Sequence, residues 1–203
     1  MRAPLLLLLL LASPVAAQGP APQPNGALTP ESPRAVPAPG SSRAAPELDR
    51  AFAALADAPD ERGAAMAEAA IRQLWARQAS AAVSLLLNRG VRNLRGREAG
   101  EALEDFDAAL TLAPSLADAW HWRAQAHAQL GDAVAAATDL RECLRLEPRH
   151  FPALQILARL QEEAGDHRGA LRSFEAVLAI NPRLPGGSAR LADLRRRAEG
   201  EAM

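Results

Sequence analysis

Between residues 83 and 184 the large and small apolar positions recur every 34 residues, a beat marked by Pro114, Pro148 and Pro182. Windows 83–116, 117–150 and 151–184 align without a gap. Their fourth positions are Leu86, Trp120 and Leu154, their eighth Gly90, Ala124 and Ala158, and their twentieth Ala102, Ala136 and Ala170. Position 24 holds Phe106, Leu140 and Phe174, position 27 holds Ala109, Cys143 and Val177, and position 28 is always leucine. Two antiparallel helices approach closely only where one of them has little side chain, so each window predicts a helical hairpin with large residues filled in around small ones. The prolines end each second helix, because the ring cannot continue a helix and biases its predecessor out of the α region. LGD at 130–132 and AGD at 164–166 supply a glycine stop and an aspartate start for the inner turn. LRGRE at 94–98 carries its glycine one place early.

The flanks extend the pattern. Leu48, Phe52 and Leu55 stand at helical spacing up to Pro59, and Ile71, Leu74 and Trp75 form the apolar face of a second helix. This predicts a hairpin over 46–80. Phe52, Leu55 and Ala56 fall where positions 4, 7 and 8 of a preceding unit would lie, so the hairpin is expected to serve as a degenerate N-terminal cap. Residues 187–199 place Leu191 and Leu194 on one face and Arg195, Arg196 and Arg197 outward, as a C-terminal capping helix would.

Composition changes this picture little in the repeats and much at the N-terminus. Tyr and Lys are absent, β-branched residues are few and Ala and Leu dominate, which predicts an all-α chain. A formal charge of −1 gives no general attraction to nucleic acid or membrane. Residues 1–17 have a basic start, an apolar run from Leu5 to Leu11 and small residues at Val15 and Ala17. They are expected to be a cleaved export signal, with cleavage after Ala17, and the expected location is periplasmic or secreted. The run is about half the roughly 20 residues of a membrane span. Residues 18–45 are rich in Pro and Ala and are expected to be a disordered tether, with a PxxP ligand as the rival reading.

The three windows resemble the tetratricopeptide repeat, whose 34-residue pattern combines a large apolar residue, small residues and a closing proline. The resemblance implies an α-solenoid of about three helix-turn-helix repeats with N- and C-terminal capping helices. It also implies that positions 2, 5, 6, 9, 12 and 13 of each first helix line a concave groove that receives peptides or extended chain segments. Two departures stand out: position 7 is Arg89 and Arg123 in the first two windows, and the aromatic of position 11 is replaced by Asn93, His127 and Gln161. These should loosen the interior, with the Arg stems lying along the helices and their heads in water.

On this register the first unit brings Ser84, Asn88, Val91 and Arg95 to the groove. The second brings Asp118, His121, Trp122, Gln125 and Gln129, and the third Gln155, Arg159, Glu162 and Glu163. Trp120 and Trp122 point about 200° apart on a helix, so one buried stripe cannot hold both. Trp120 takes the core position. Trp122 either anchors a ligand or packs on the neighbouring unit. The family's subclass that grips a C-terminal carboxylate is disfavoured: Asn88 matches one clamp position, but Trp122, Pro152 and Ile156 stand where an Asn and two cations belong.

Other chemistry is thin. His121, His127, His150 and His167 lack HxxxH or HExxH spacing, so surface or half-buried histidines are expected in place of a metal site. No nucleophile motif or phosphate loop is present, and Cys143 reads as a buried inert thiol. The sequence therefore predicts a non-catalytic scaffold or adaptor without a cofactor, binding a segment of an envelope protein and no nucleic acid. A self-association module forming a homo-oligomer is the alternative, ahead of an enzyme or metal-binding protein.

Overall fold

The computed structural model describes residues 41–200, and side chains from residue 45 onward. The expected signal and most of the expected tether lie outside the described residues. Among those residues all regular structure is helical: α1 (Ser41–Ala56), α2 (Glu61–Ala76), α3 (Ala81–Arg95), α4 (Ala99–Leu112) and α5 (Ala117–Gln129), then α6 (Ala133–Leu146), α7 (Phe151–Glu163), α8 (His167–Ile180) and α9 (Gly187–Gly200). Helix α1 starts ahead of Pro46, which lies inside it at the loss of one helical donor, so residues 41–45 belong to the hairpin and not to the tether. No described helix is long and apolar enough to cross a membrane.

The helices start and stop where local chemistry dictates. Helices α4, α6 and α8 each end two residues before Pro114, Pro148 and Pro182. Asp132 and Asp166 accept from the backbone N–H three residues on, at 2.9 and 2.7 Å, capping α6 and α8. Gly131 and Gly165 adopt φ of 81° and 80° in the turns before them. In the first turn the early glycine, Gly96, has an ordinary negative φ, and Arg97 is forced to φ 66° in its stead. A side chain in that left-handed region costs about 1–2 kcal/mol.

Helices pair as α3 with α4, α5 with α6 and α7 with α8, and α5 also touches α3 and α7. The small positions permit this. A Cβ on Gly90 would lie 2.5 Å from Phe106 Cε1, so α3 and α4 meet at that glycine. Phe106, Leu140 and Phe174 are each buried in a separate cluster, and α9 closes the last one with Leu194, which is fully buried. Cys143 is buried among them, and burial pushes its thiol up, which keeps it protonated.

The departures at positions 7 and 11 do not loosen the interior. Each is answered from position 23 of the facing helix. Arg89 and Asn93 both donate to Asp105, at 2.6 and 3.2 Å, and Arg123 donates to Asp139 through two bonds of 2.8 Å while His127 stands 3.8 Å from the same carboxylate. Asp105 and Asp139 are buried. The heads of Arg89 and Arg123 are thus held by carboxylates, and the resulting hydrogen bonds raise both guanidinium pKa values. Arg123 also bridges to Asp107 of the preceding repeat at 2.6 Å. In the third repeat the same rung is neutral: Ser173 donates to Gln161 at 2.6 Å, and Leu157 takes position 7.

The N-terminal hairpin departs from the expected cap. Ala56, which should be a buried small position, is exposed. The α1–α2 core instead closes on Phe151 and Ile180 of the third repeat. Trp75 stacks on His150 at 4.3 Å and 10°, the Arg149 guanidinium lies 4.2 Å from the Phe52 ring, and Arg149 pairs with Asp49 at 2.8 Å. Asn181 donates to Glu68 at 2.7 Å, and Arg183 to the Ala58 carbonyl at 3.2 Å. The aromatic end of α2 is satisfied by the His-Phe step at 150–151, which a preceding-unit position would not offer.

Candidate interaction groove

The first helices of the three repeats, α3, α5 and α7, stand side by side and supply one wall system of a groove. Its larger cavity, about 540 Å³, is lined by Asn88, Val91 and Arg95 from α3, by Asp118, His121, Trp122 and Gln125 from α5, and by Pro152, Gln155 and Ile156 from α7. An adjoining cavity of about 510 Å³ shares Val91, Arg95, Trp122 and Gln125 and adds Gln129 and Arg159. Eleven of the thirteen side chains that the repeat register assigns to the groove line one cavity or the other. Glu162 and Glu163 do not: Glu162 is taken by Arg190 and Arg197 of the cap, and Glu163 pairs with Arg159 at 2.7 Å.

One wall was not legible from the register. Arg72, Trp75, Ala76 and Ala79, from α2 and the turn after it, close the larger cavity at the N-terminal ends of α3, α5 and α7. The signal for this was the aromatic face of α2, but its docking site 75 residues away in sequence, at His150, has no local trace.

The two tryptophans divide differently from the sequence expectation. Trp120 is only half-buried; it touches the cores of the first and second repeats, donates to the Pro114 carbonyl at 2.8 Å and carries the Arg123 guanidinium 4.8 Å over its ring. It is a bridge between repeats and not a sealed core residue. Trp122 does both things the sequence left open. It packs against the core of the first repeat and also lines both cavities.

Beneath Trp122 lies a buried polar cluster. Its Nε1 donates to Asp118 Oδ2 at 3.2 Å, and His150 Nε2 stands 3.4 Å from Asp118 Oδ1. His121 is 5% exposed and its ring lies 5.0 Å from Trp122 and 4.8 Å from His150. Two of the four histidines, His121 and His150, are therefore buried, against the expectation of surface or half-buried rings. Burial, with help from His150 and Arg72, pushes His121 down to about 3, although Asp118 pulls the other way. Burial pushes Asp118 up, but its contacts with His150, His121 and Trp122 outweigh that and hold it below the ordinary carboxylate value. His150 Nδ1 accepts from Ala153 N–H at 3.2 Å and caps α7, which fixes the ring's orientation. Among the described residues no group of His, Cys, Asp and Glu is placed to hold a metal ion.

The upper lining is polar and unspent. Ser84, Asn88, Gln125 and Gln155 line the larger cavity and their side chains make no hydrogen bond among the described residues, and Arg95 makes no ion pair there. Such a surface offers amide donors and acceptors, one cation and one large aromatic.

Comparison with known proteins agrees with this architecture. A tetratricopeptide repeat family model matches residues 117–150, the second window. A TPR repeat-containing protein of Rhizobium etli is 30% identical over 142 residues, 70% of this chain and 70% of that protein. The Sgt2 TPR domain from Aspergillus fumigatus superposes with a TM-score of 0.57 at 21% identity, over 61% of this chain and 83% of that one. The first TPR of Spaghetti (RPAP3), solved bound to the HSP90 peptide SRMEEVD, gives 0.54 at 17% identity, over 60% and 94% of the two chains.

Proposed function

The chain belongs to the tetratricopeptide-repeat family, and from that premise we propose that its groove holds an extended segment of another protein, making it a non-catalytic adaptor of the bacterial cell envelope. The family and fold are those of protein–protein interaction scaffolds, and a solved neighbour carries a peptide. The observation that carries the groove reading is Trp122. A large aromatic lines both cavities while the side-chain amides that line them with it, Asn88, Gln125 and Gln155, make no hydrogen bond among the described residues. Aromatic anchors ringed by polar groups are where binding energy concentrates at interfaces. Placement in the envelope is supported by residues 1–17, whose basic start, leucine run and small residues suit an export signal.

Site-specific photocross-linking tests both parts. A photoreactive residue in place of Gln125, in the native envelope, should attach a discrete partner band that Trp122→Ala weakens. A band found only in the cytoplasmic fraction, or one unchanged by Trp122→Ala, overturns the reading.

A further inference from the structure

We propose that the groove selects an internal, extended peptide segment that carries a carboxylate side chain beside a bulky apolar one, with Arg95 taking the carboxylate and Trp122 the apolar group. The inference rests on the groove reading above and gives it a ligand chemistry.

Three arginines and one aspartate line the two cavities, but most of these charges are already engaged. Arg72 pairs with Glu68 and Arg159 with Glu163, while Asp118 accepts from Trp122 and faces His150. Arg95 alone among the lining charges has no ion pair or hydrogen bond within the described residues, and it is exposed. A ligand anion thus meets an unshared cation and no unshared lining carboxylate. A guanidinium recognises a carboxylate through two parallel bonds, so the pairing is directional as well as attractive.

Arg95 and Trp122 both line the two cavities, together with Val91 and Gln125. A short ligand segment seated there can therefore meet both. The unspent amides of Asn88, Gln125 and Gln155 supply donors and acceptors for an extended backbone, whose own N–H and C=O groups need partners once water is excluded.

A terminal carboxylate held as such needs several fixed donors converging on one point. Here Arg72 and Arg159 are taken by Glu68 and Glu163, which leaves Arg95 as the one lining cation without an ion pair among the described residues, and Pro152, Ile156, Ala76 and Ala79 donate nothing from their side chains. A lone unpaired guanidinium suffices for a side-chain carboxylate but not for the converging donor set of a terminus, so the ligand is assigned as an internal segment.

The experiment uses the full chain and an array of eight-residue peptides, each made with a C-terminal amide and with a free acid. The arrays pair Glu, Gln or Lys with Phe, Leu or Ala at one- and two-residue spacing, and fluorescence polarisation reads binding. Glu beside Phe or Leu should bind best, and the free acid should add less than twofold. Arg95→Ala should weaken the best peptide about tenfold, the loss of one charge-assisted contact, and Arg95→Glu should turn the preference to Lys. Arg95 is exposed without a partner, so circular dichroism should show both variants folded. Preference for Gln or Lys in the wild type, a dominant gain from the free acid, or a Glu preference that survives Arg95→Glu overturns the inference while leaving the groove reading intact. Absence of binding by every peptide overturns both.

Discussion

Arg123 on α5 and Asp139 on α6 meet side by side across the second repeat, Nε to Oδ2 and Nη2 to Oδ1, each at 2.8 Å. The carboxylate is 4% exposed and the arginine side chain 22%, so this is a pair largely out of water. It occupies the place where a leucine and a serine stand in the third repeat, Leu157 and Ser173.

Removing one partner should therefore cost more than removing both. Arg123→Leu leaves Asp139 buried with only His127, 3.8 Å away, to face it, a loss of about 3 kcal/mol. The double variant Arg123→Leu with Asp139→Ser matches the third repeat at positions 7 and 23, keeps His127 where that repeat has Gln161, and should recover most of that loss. Urea denaturation of the two singles and the double gives the coupling directly; additive losses would show that the pair is not the unit described.

Arg97 sits at φ 66° where its counterparts are Gly131 and Gly165. Arg97→Gly should raise stability by about 1 kcal/mol, because the strain removed exceeds the entropy that glycine adds to the unfolded chain. The same denaturation curve checks it, and a loss of stability would place the strain elsewhere. Gly90→Ala should act in the opposite sense, by about 1–3 kcal/mol, since its new methyl group meets Phe106.

Trp120 and Trp122 should separate under truncation. Trp120 joins two repeat cores and donates to Pro114, so Trp120→Ala should lower stability by about 3 kcal/mol with loss of melting temperature. Trp122→Ala should lower it less and reduce partner capture more. Thermal melting beside the cross-linking yield distinguishes them; the reverse ranking would move the anchor out of the groove.

His121 sets an acid limit. Its folded pKa, about 3, lies below the ordinary histidine value of 6.5, so between those values the unfolded chain binds the extra proton and stability falls as pH falls. The slope from this group is at most about 1.4 kcal/mol per pH unit. Asp118, whose pKa is also held down, contributes stability above its unfolded value and loses it as pH falls through the folded one, so the two act in the same direction. His121→Gln should flatten the stability curve between pH 6.5 and 4 relative to wild type, read by denaturation at a series of pH values.

The repeats were legible because close helix packing restricts residue type at fixed spacing: Gly90, Ala124 and Ala158 announce themselves, and so do the prolines. The same register named Gln129 and Arg159 among the cavity-lining side chains, and with them Glu162 and Glu163, which pair elsewhere. Three things were not legible. The buried aspartates at 105 and 139 look like ordinary exposed helix charges in sequence, since burial depends on a facing helix. The buried cluster of His121, His150 and Asp118 joins the start of α5 to the N-cap of α7 and has no local spacing. The site where α2 docks depends on how far the helix array curves, which accumulates from small rotations between repeats and leaves no motif.

That docking has a consequence for how the molecule could change over time. Most stacked-repeat proteins grow or shrink by whole units, since each layer touches only its neighbours. Here Trp75 grips His150 and Glu68 grips Asn181, so the first hairpin spans the array like a clasp whose reach matches the curvature of three units. Inserting a fourth between α4 and α5 would carry the far anchor out of range and open the end of the groove, which ties the number of repeats to the shape of the binding surface.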